Sequence, residues 1–480
     1  MIRPSFLSSS IVYTIGGALP MLAGIILLPF YTNTLHAEVY TQLLFYISIS
    51  LFCQMFFSWS TETVFGIEFS RLKTKPEARV FTGTVFELLL IMGFIWIVLF
   101  SIFGNFIFKA LFNHNLNMQF WPWGFYAVIT AMCNAVFKTS TTVLIYQQQA
   151  QRFLFLNGIN FILTVSIAII GLYLYPNSLY GPLYARLFSG IVILGMAVLV
   201  FKTYAQFTLS IKKWIPLFKM CLPLVGIVFS GWIIGQVDRY FLLHHVSTAE
   251  LNAYDLILKC FFGIEFLQNS LSAVIYPRVF ELWSSSATAS TTTDSNRYFN
   301  AFTALNILML CVFNLAVPAF IKWLVKDPAY YISFNYLGLL SGTFAARSII
   351  YFFQAGLLYS KQNRQLLRFH FSGIATELVL VYILIPLIGI FGAIVASLAV
   401  RFVQTFTMGL GASTAFVFKY NRFKILGLPA VFIAVNSICI IFFSKYTIAV
   451  YCIQLLGFSI LIYRMYRNEL QAVLKALLKL

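Results

Sequence analysis

Charged side chains are scarce in this chain. Only 10% of its 480 residues are Asp, Glu, Lys or Arg, whereas soluble proteins carry about 25%. Hydrophobic residues make up 60%. Apolar stretches of about twenty residues recur from one end to the other, and each could cross a hydrocarbon core of about 30 Å as a helix. This composition excludes a soluble protein and predicts an integral membrane protein.

Several chemical signatures are also missing. The seven cysteines show no C-x-x-C spacing, which argues against a disulfide framework or a cysteine metal site. No G-x-x-x-x-G-K-[ST] segment is present, so the chain lacks the phosphate-binding loop of an NTPase. No two acidic residues lie within three positions of each other, which argues against a paired-carboxylate metal site. The sequence therefore predicts a protein that is not an enzyme and holds no metal or organic cofactor.

Hydropathy predicts fourteen membrane spans. They are 8–31, 40–66, 80–108, 121–147, 154–175, 179–201, 216–241, 250–276, 299–321, 332–359, 369–388, 391–414, 425–444 and 446–464. With the N-terminus inside, the inner segments hold 21 Lys and Arg residues and the outer segments hold 4. Cytoplasmic loops are enriched in these residues, so both termini are expected inside. The formal charge of +18 then reflects topology and attraction to anionic membrane lipids, with no nucleic-acid partner.

Two stretches of the chain resemble each other. PNSLYGPLYARLFSG at 176–190 and PLIGIFGAIVASLAVR at 386–401 each carry a proline, an aromatic-glycine pair, and matched alanine and leucine positions. A repeat of six helices is typical of transporters. The predicted organisation is an N-lobe at 1–201, a cytoplasmic linker at 202–215, a C-lobe at 216–414, and two further helices with a cytoplasmic tail at 415–480. The fold class is therefore an all-α polytopic membrane protein of about 14 transmembrane helices, with two six-helix lobes in a pseudo-two-fold repeat.

Two prolines occupy corresponding places in the first and seventh spans. Leu19-Pro20 has a counterpart in Leu222-Pro223. A proline inside a helix removes one backbone hydrogen bond and favours a bend. We expect Pro20 and Pro223 to be points of helix bending, and a static kink that serves packing remains the alternative.

Six cations fall deep within predicted spans. They are Lys138, Arg186, Arg239, Lys259, Arg347 and Arg401. A Lys or Arg at the centre of a membrane helix is unfavourable by about 2.5 to 3.5 kcal/mol, so these side chains should face protein or water rather than lipid. Arg239 stands beside Asp238 and is predicted to form an ion pair with it. The other five are expected to have no acid close in sequence.

These five cations suggest a binding site for an anion. An arginine fork suits phosphate oxygens, and a cleft of one sign attracts the opposite charge. We expect Lys138, Arg186, Lys259, Arg347 and Arg401 to line a central cationic cavity. Ion pairing with intramembrane acids is the alternative, and the same acids could instead carry H⁺ or Na⁺. The acids considered for pairing or coupling are Glu62, Glu87, Asp238, Asp255, Glu265 and Glu377.

Several loose motifs carry a family resemblance. They are Asp238-Arg239-Tyr240, Ala249-Glu250-Leu251 with Tyr254, Tyr276-Pro277, and Ile385-Pro386 followed by Gly389, Phe391-Gly392-Ala393 and Ala396. On these motifs the chain resembles the polysaccharide-transporter branch of the multidrug/oligosaccharidyl-lipid/polysaccharide exporter (MOP) superfamily, close to O-antigen (Wzx-type) flippases. It departs from that pattern at Thr41 and at Asn252-Ala253, where glycine is usual.

The resemblance implies a two-lobed bundle that opens alternately to each side of a bacterial cytoplasmic membrane. Its cargo would be an undecaprenyl-pyrophosphate-linked glycan, such as the repeat unit of a surface polysaccharide. Its partners would be that glycan, membrane lipids, a glycan polymerase and a chain-length regulator, and the protein is expected to be a monomer. Two alternatives stay open, an ion-coupled drug or metabolite antiporter of the same superfamily and a membrane glycan polymerase or ligase.

Overall fold

The fold is built from α-helices. The computed structural model describes residues 4–69, 72, 74–112, 116–285, 289–360, 362–415, 420–442 and 448–478. All the secondary-structure elements in these ranges are helices, and no strand occurs in them. The predicted all-α, multi-pass fold class is confirmed. The chain forms two compact units, residues 1–236 and 237–480.

The first unit contains seven helices and most of an eighth. They are α1 Pro4–Thr34, α2 Ala37–Ser58, α3 Thr61–Phe69, α4 Lys75–Leu111, α5 Phe125–Tyr146, α6 Ala150–Leu174, α7 Tyr180–Tyr204 and α8 Ile211–Leu242, with a short π-helical turn at Phe120–Gly124 before α5. The predicted second span is in fact α2 and α3 together. They are separated at Trp59 and Ser60, whose φ angles of 46° and 55° lie in the left-handed region and interrupt a right-handed helix.

The second unit continues with six more helices. They are α9 Thr248–Ser285, α10 Ala289–Leu324, α11 Leu337–Tyr359, α12 Asn363–Ala415, α13 Leu428–Phe442 and α14 Ile448–Leu478, with a 3₁₀ segment at Pro328–Tyr336 and a π-helical turn at Phe423–Gly427. α9 and α10 extend well beyond the spans predicted at 250–276 and 299–321.

Helix α12 carries the eleventh and twelfth predicted spans in one element. Its backbone leaves the helical region at Ile388 and at Gly389, which has φ 57° and ψ −130°. Only glycine adopts this conformation readily. Pro386 lies just before the break and cannot donate a backbone hydrogen bond. The sequence prediction of two spans that meet at 388–391 therefore coincides with a local break.

Eleven helices of the described part are long and apolar enough to cross a membrane. α12 counts once in that set although it holds two predicted spans. α9, which carries several ionisable residues, lies outside the set, and α13 is shorter than the others. With α9, α13 and both parts of α12 counted, the helices correspond one to one with the fourteen predicted spans.

Each unit has its own apolar core. In the first unit, aromatic residues such as Phe65, Phe86 and Phe201 pack together from α3, α4 and α7. In the second, Phe352 and Phe353 of α11 are buried against residues of α9, α10 and α12. Side chains that pack in this way hold the polar residues described below at fixed positions.

The prolines singled out in the sequence lie inside long helices. Pro20 is within α1 and Pro223 is within α8, and each helix continues past its proline. Their role in bending stays a prediction.

The boundary between the two compact units falls at 236/237, within α8. The predicted limits of the two lobes and of the linker stay a prediction.

Candidate functional site

Lys138 of α5 forms an ion pair with Glu62 of α3 in the first unit. The distance from Lys138 Nζ to Glu62 Oε1 is 2.8 Å. Thr61 and Thr139, the preceding and following neighbours, share a buried hydrogen bond of 3.3 Å that fixes α3 against α5. The Lys138 side chain remains 55% exposed although it projects from an apolar helix. A cation with so much open surface can accept an additional anionic partner.

Glu62 is only partly satisfied by this pair. Its second oxygen, Oε2, is buried and has no hydrogen-bond partner among the described residues. Cys221 of α8 lies close enough to sense the charge of Glu62. A buried carboxylate oxygen without a donor is unfavourable.

Glu87 of α4 serves as an anchor. One of its oxygens accepts hydrogen bonds from the backbone N–H groups of Thr208 and Leu209 at 2.6 and 3.0 Å, and the other accepts from Trp214 Nε1 at 2.7 Å. These donors belong to the turn between α7 and α8 and to the first part of α8. Glu87 thus holds the predicted linker onto α4, and its role as an ion carrier stays a prediction that this full set of partners disfavours.

A buried charge network occupies the junction of α8 and α9 in the second unit. Arg239 donates from Nε to Asp255 Oδ1 at 2.9 Å, and its Nη1 lies 3.4 Å from Asp238 Oδ1. Tyr254 donates its hydroxyl proton to Asp238 Oδ2 at 2.6 Å. Lys259 Nζ lies 2.7 Å from Asp255 Oδ2. The predicted pairing of Arg239 with Asp238 is present, and Asp255 joins it.

The expectation that Lys259 has no acid close in sequence is wrong. Asp255 stands four residues earlier on α9, and residues at this spacing are neighbours on one helix face. Lys259 therefore has a carboxylate partner within its own helix. Its assignment to an anion-binding cavity stays a prediction.

Arg347 of α11 is the centre of a second polar cluster. Its Nη2 donates to Glu265 Oε1 on α9 at 2.8 Å. One helical turn along each helix, Tyr351 donates its hydroxyl proton to Asn269 Oδ1 at 2.6 Å. The guanidinium carbon of Arg347 lies 5.8 Å from the centre of the Tyr351 ring. These two side-chain hydrogen bonds help to join α9 to α11, and the Arg347 and Glu265 side chains stay 20% and 34% exposed.

Arg401 of α12 belongs to the same neighbourhood. Its Nη1 donates to Gln404 Oε1 at 3.1 Å, and within the described ranges it forms no ion pair. Arg347, Glu265 and Glu377 lie near enough to interact with it electrostatically. We refer to Glu265, Asn269, Arg347, Tyr351, Arg401 and Gln404 as the Arg347 cluster.

Glu377 of α12 is buried and isolated. It is 0% exposed, and both of its carboxylate oxygens lack hydrogen-bond partners among the residues that the structure describes. Asp238 and Arg401 are close enough to influence its charge, but neither contacts it. A carboxylate in these surroundings is stable only when a proton or a cation neutralises it.

Arg186 of α7 stands apart from the other candidates. It is half-buried, and its Nε is buried without a hydrogen-bond partner in the described part of the chain. No described carboxylate forms an ion pair with it. The two candidate cations of the first unit therefore differ in their surroundings. Lys138 is paired with an acid, and Arg186 is paired with no acid that the structure describes.

Sequence reasoning missed three members of the Arg347 cluster, Asn269, Tyr351 and Gln404. A signal was present, because Asn269 lies four residues after Glu265 and Tyr351 lies four residues after Arg347. This spacing places each pair on one helix face. The sequence also did not pair Lys138 with Glu62, because that contact depends on how α3 and α5 pack.

Exposed cationic side chains give the described part of the chain groups that could bind an anion. Arginine and lysine side chains with exposed surface can hold phosphate oxygens. Within the described ranges, no group of three or more His, Cys, Asp or Glu side chains is placed to hold a metal ion. The arrangement suits recognition and release of a charged group, with nearby acids available as alternative counter-ions.

Comparison with known proteins adds a match at the level of fold. No protein-family model and no curated protein sequence matches the chain. Among solved structures, the lipid II flippase MurJ in an inward closed conformation matches with a TM-score of 0.70 and 13% identity, over 95% of this chain and 99% of that chain.

Other solved transporters match less extensively. A MOP superfamily transporter from Pyrococcus furiosus gives a TM-score of 0.55 at 14% identity, over 86% of this chain and 96% of its own. An inward-facing multidrug resistance MATE family transporter of the same superfamily gives 0.61 at 14% identity, over 83% and 95%. At these identities the comparisons establish that the chain has the fold of MOP superfamily transporters.

Proposed function

We propose that this protein is a flippase that moves an undecaprenyl-pyrophosphate-linked oligosaccharide across the bacterial cytoplasmic membrane by alternating access. The cargo would be an O-antigen unit or a similar repeat unit of a surface glycan. The observation that carries the proposal is Arg401, which lies near the Arg347–Glu265 ion pair and forms no ion pair of its own among the described residues. Its guanidinium group is therefore available to an anionic head group.

The cations have distinct roles in this proposal. Arg347 and Arg401 bind oxygens of the diphosphate, since a guanidinium donates several parallel hydrogen bonds to such groups. Lys138 contributes a further charge through its exposed ammonium group. Arg186 and Lys259 are the other two cations that the sequence assigns to the cationic cavity. The glycan follows the head group, and the polyprenyl tail stays in lipid.

The match to a lipid II flippase supports this proposal. That protein is named for moving a lipid-linked molecule, and it covers more of this chain than the MATE structures do. On this proposal the protein works in the bacterial inner membrane with both termini inside, as a monomer, and passes its product to a glycan polymerase. H⁺ or Na⁺ would supply the driving force.

A drug or metabolite antiporter is the second candidate. It is supported by the MATE structures, which share the fold with TM-scores up to 0.61. An exporter of organic cations needs acidic side chains at its binding site, however. In the Lys138–Glu62 and Arg347–Glu265 ion pairs the most exposed side chain is the cation Lys138. A glycan polymerase or ligase has no specific support in the described residues.

Reconstitution into liposomes separates the first two candidates. Purified protein would be given a fluorescent polyprenyl-diphosphate oligosaccharide, the matching monophosphate lipid, or an organic cation dye, each in separate vesicles. We expect leaflet exchange of the diphosphate lipid well above protein-free vesicles and slower exchange of the monophosphate. Transport of the dye with no movement of the diphosphate lipid would contradict the proposal and favour the antiporter.

A further inference from the structure

Each compact unit contains one ion pair that joins its second predicted span to its fourth. In the first unit Glu62 of α3 holds Lys138 of α5, and in the second Glu265 of α9 holds Arg347 of α11. These spans correspond in the sequence repeat. The two acids do not stand at matching positions along their spans. The two units therefore share the ion pair between the second and fourth spans, but not the position of the acid within its span.

These pairs differ from the buried network around Asp255. Both oxygens of Asp255 are close to a cation, at 2.9 and 2.7 Å, and its side chain is only 5% exposed. Glu62 uses a single oxygen and leaves the other without a partner. Glu265 likewise contacts Arg347 through one oxygen and remains partly exposed. Pairs of this kind are easier to open than a buried network in which both carboxylate oxygens lie against cations.

A diphosphate that approached either cation would meet a carboxylate already in place. An ionised carboxylate next to a doubly charged anion is unfavourable because like charges repel. Uptake of a proton by the carboxylate removes this repulsion and also frees the cation. The two acids are therefore well placed to exchange a cation for a proton when an anion binds.

We propose that Glu62 and Glu265 are exchangeable counter-ions of Lys138 and Arg347. Each acid holds its cation while no cargo is bound, and each takes up one proton from water when a diphosphate replaces it. The carboxylate becomes a carboxylic acid, while the cation keeps its own protons and transfers its contact to a phosphate oxygen. No other bond forms or breaks. Cargo binding is thereby coupled to proton uptake, which deepens the proposed function and rests on it.

The groups that face the two acids fit this exchange. Glu62 is faced by Lys138 from α5 and by the Cys221 thiol from α8. Glu265 is faced by Arg347 and, from neighbouring positions, by the charged or titratable groups of Arg401 and Tyr351. Among the described residues no second carboxylate faces either acid. A bound anion would therefore compete with each acid for its cation.

Binding of a small diphosphate diester tests this coupling. The symmetrical dibutyl diester of diphosphate keeps two negative charges across the neutral range, so its own titration does not interfere. Its affinity for the full-length wild-type protein in nanodiscs would be measured by calorimetry at several pH values, in buffers of different ionisation enthalpy. We expect net proton uptake, and an affinity that falls about tenfold per pH unit for each proton taken up.

Amide variants locate the protons. Glu62→Gln and Glu265→Gln should each reduce proton uptake by one and should bind the diester more tightly at alkaline pH than the wild type. Glu38→Gln on α2 and Glu281→Gln on α9 remove a negative charge outside the predicted spans and should leave proton uptake unchanged. If an amide variant does not fold, the pH dependence of diester binding by the wild type still shows whether binding is coupled to proton uptake.

Two results would overturn the inference in different ways. Diester binding with no proton uptake and no pH dependence in the wild type would refute the exchange and leave the flippase proposal intact. Proton uptake that is the same in both amide variants as in the controls would refute the assignment to these acids. Failure of the wild type to bind the diester at all would count against both proposals.

Discussion

Arg401 donates its hydrogen bond to the side-chain amide of Gln404 rather than to a carboxylate. The two residues are three positions apart on α12, and Nη1 lies 3.1 Å from Oε1. The Gln404 amide in turn occupies the space beside Gly373, where a Cβ atom would lie only 2.6 Å from its Nε2. The two parts of α12 therefore pack closely here and hold a guanidinium group that forms no ion pair with any carboxylate the structure describes.

Substitution of Glu377 should leave the fold intact. Because neither of its oxygens has a described partner, Glu377→Gln removes no hydrogen bond and Glu377→Leu removes a buried polar group. We expect the melting temperature of the purified protein in detergent to stay unchanged or to rise for both variants. A large decrease in both would show that Glu377 stabilises the protein through a contact to a neighbouring group.

Loss of Asp255 should be strongly destabilising. Asp255→Asn leaves Arg239 and Lys259 without a shared carboxylate, and breaking a buried pair from one side is destabilising by about 3 to 5 kcal/mol. A marked fall in melting temperature is expected.

Glu281→Gln on the same helix is the matched control for Asp255→Asn. Its side chain is 65% exposed and pairs with Arg278 at the surface, where ion pairs are worth about 0 to 1 kcal/mol. Equal melting temperatures for the two variants would contradict the structural role of Asp255.

Glu87 should prove to be a structural residue. Glu87→Ala removes the acceptor for Thr208, Leu209 and Trp214. These donors are only partly buried, and a hydrogen bond to a charged group contributes about 1.5 to 3 kcal/mol. Proteolysis within 205–215 should therefore become faster, and Trp214→Phe, which removes one of the three donors, should give a smaller effect. Unchanged proteolysis in Glu87→Ala would rule out the anchoring role.

Span positions were largely predictable from the sequence because they depend on local composition. Even the break within α12 was visible, since Pro386 and Gly389 lie between two apolar runs. The division of the second span into α2 and α3 was not, because Trp59 and Ser60 give no compositional sign of a left-handed backbone.

The partners of the charged residues were much harder to predict. Asp238 and Arg239 are adjacent, so their pairing could be read directly from the chain. The contacts of Lys138 with Glu62 and of Arg347 with Glu265 span 76 and 82 residues. Such contacts depend on helix packing, which hydropathy does not specify. The pairing of Lys259 with Asp255 was overlooked although its four-residue spacing was visible.

The central claim is that membrane-embedded cations bind the diphosphate of the cargo, and equilibrium binding tests it most directly. The dibutyl diester of diphosphate would be titrated into Arg347→Gln, Arg401→Gln and the control Lys109→Gln, each confirmed to be folded. Loss of a hydrogen bond to a charged group amounts to about 1.5 to 3 kcal/mol, or roughly ten- to hundredfold in affinity. The account predicts a loss of this size in both arginine variants and none in the control. Wild-type affinity in both arginine variants would contradict it.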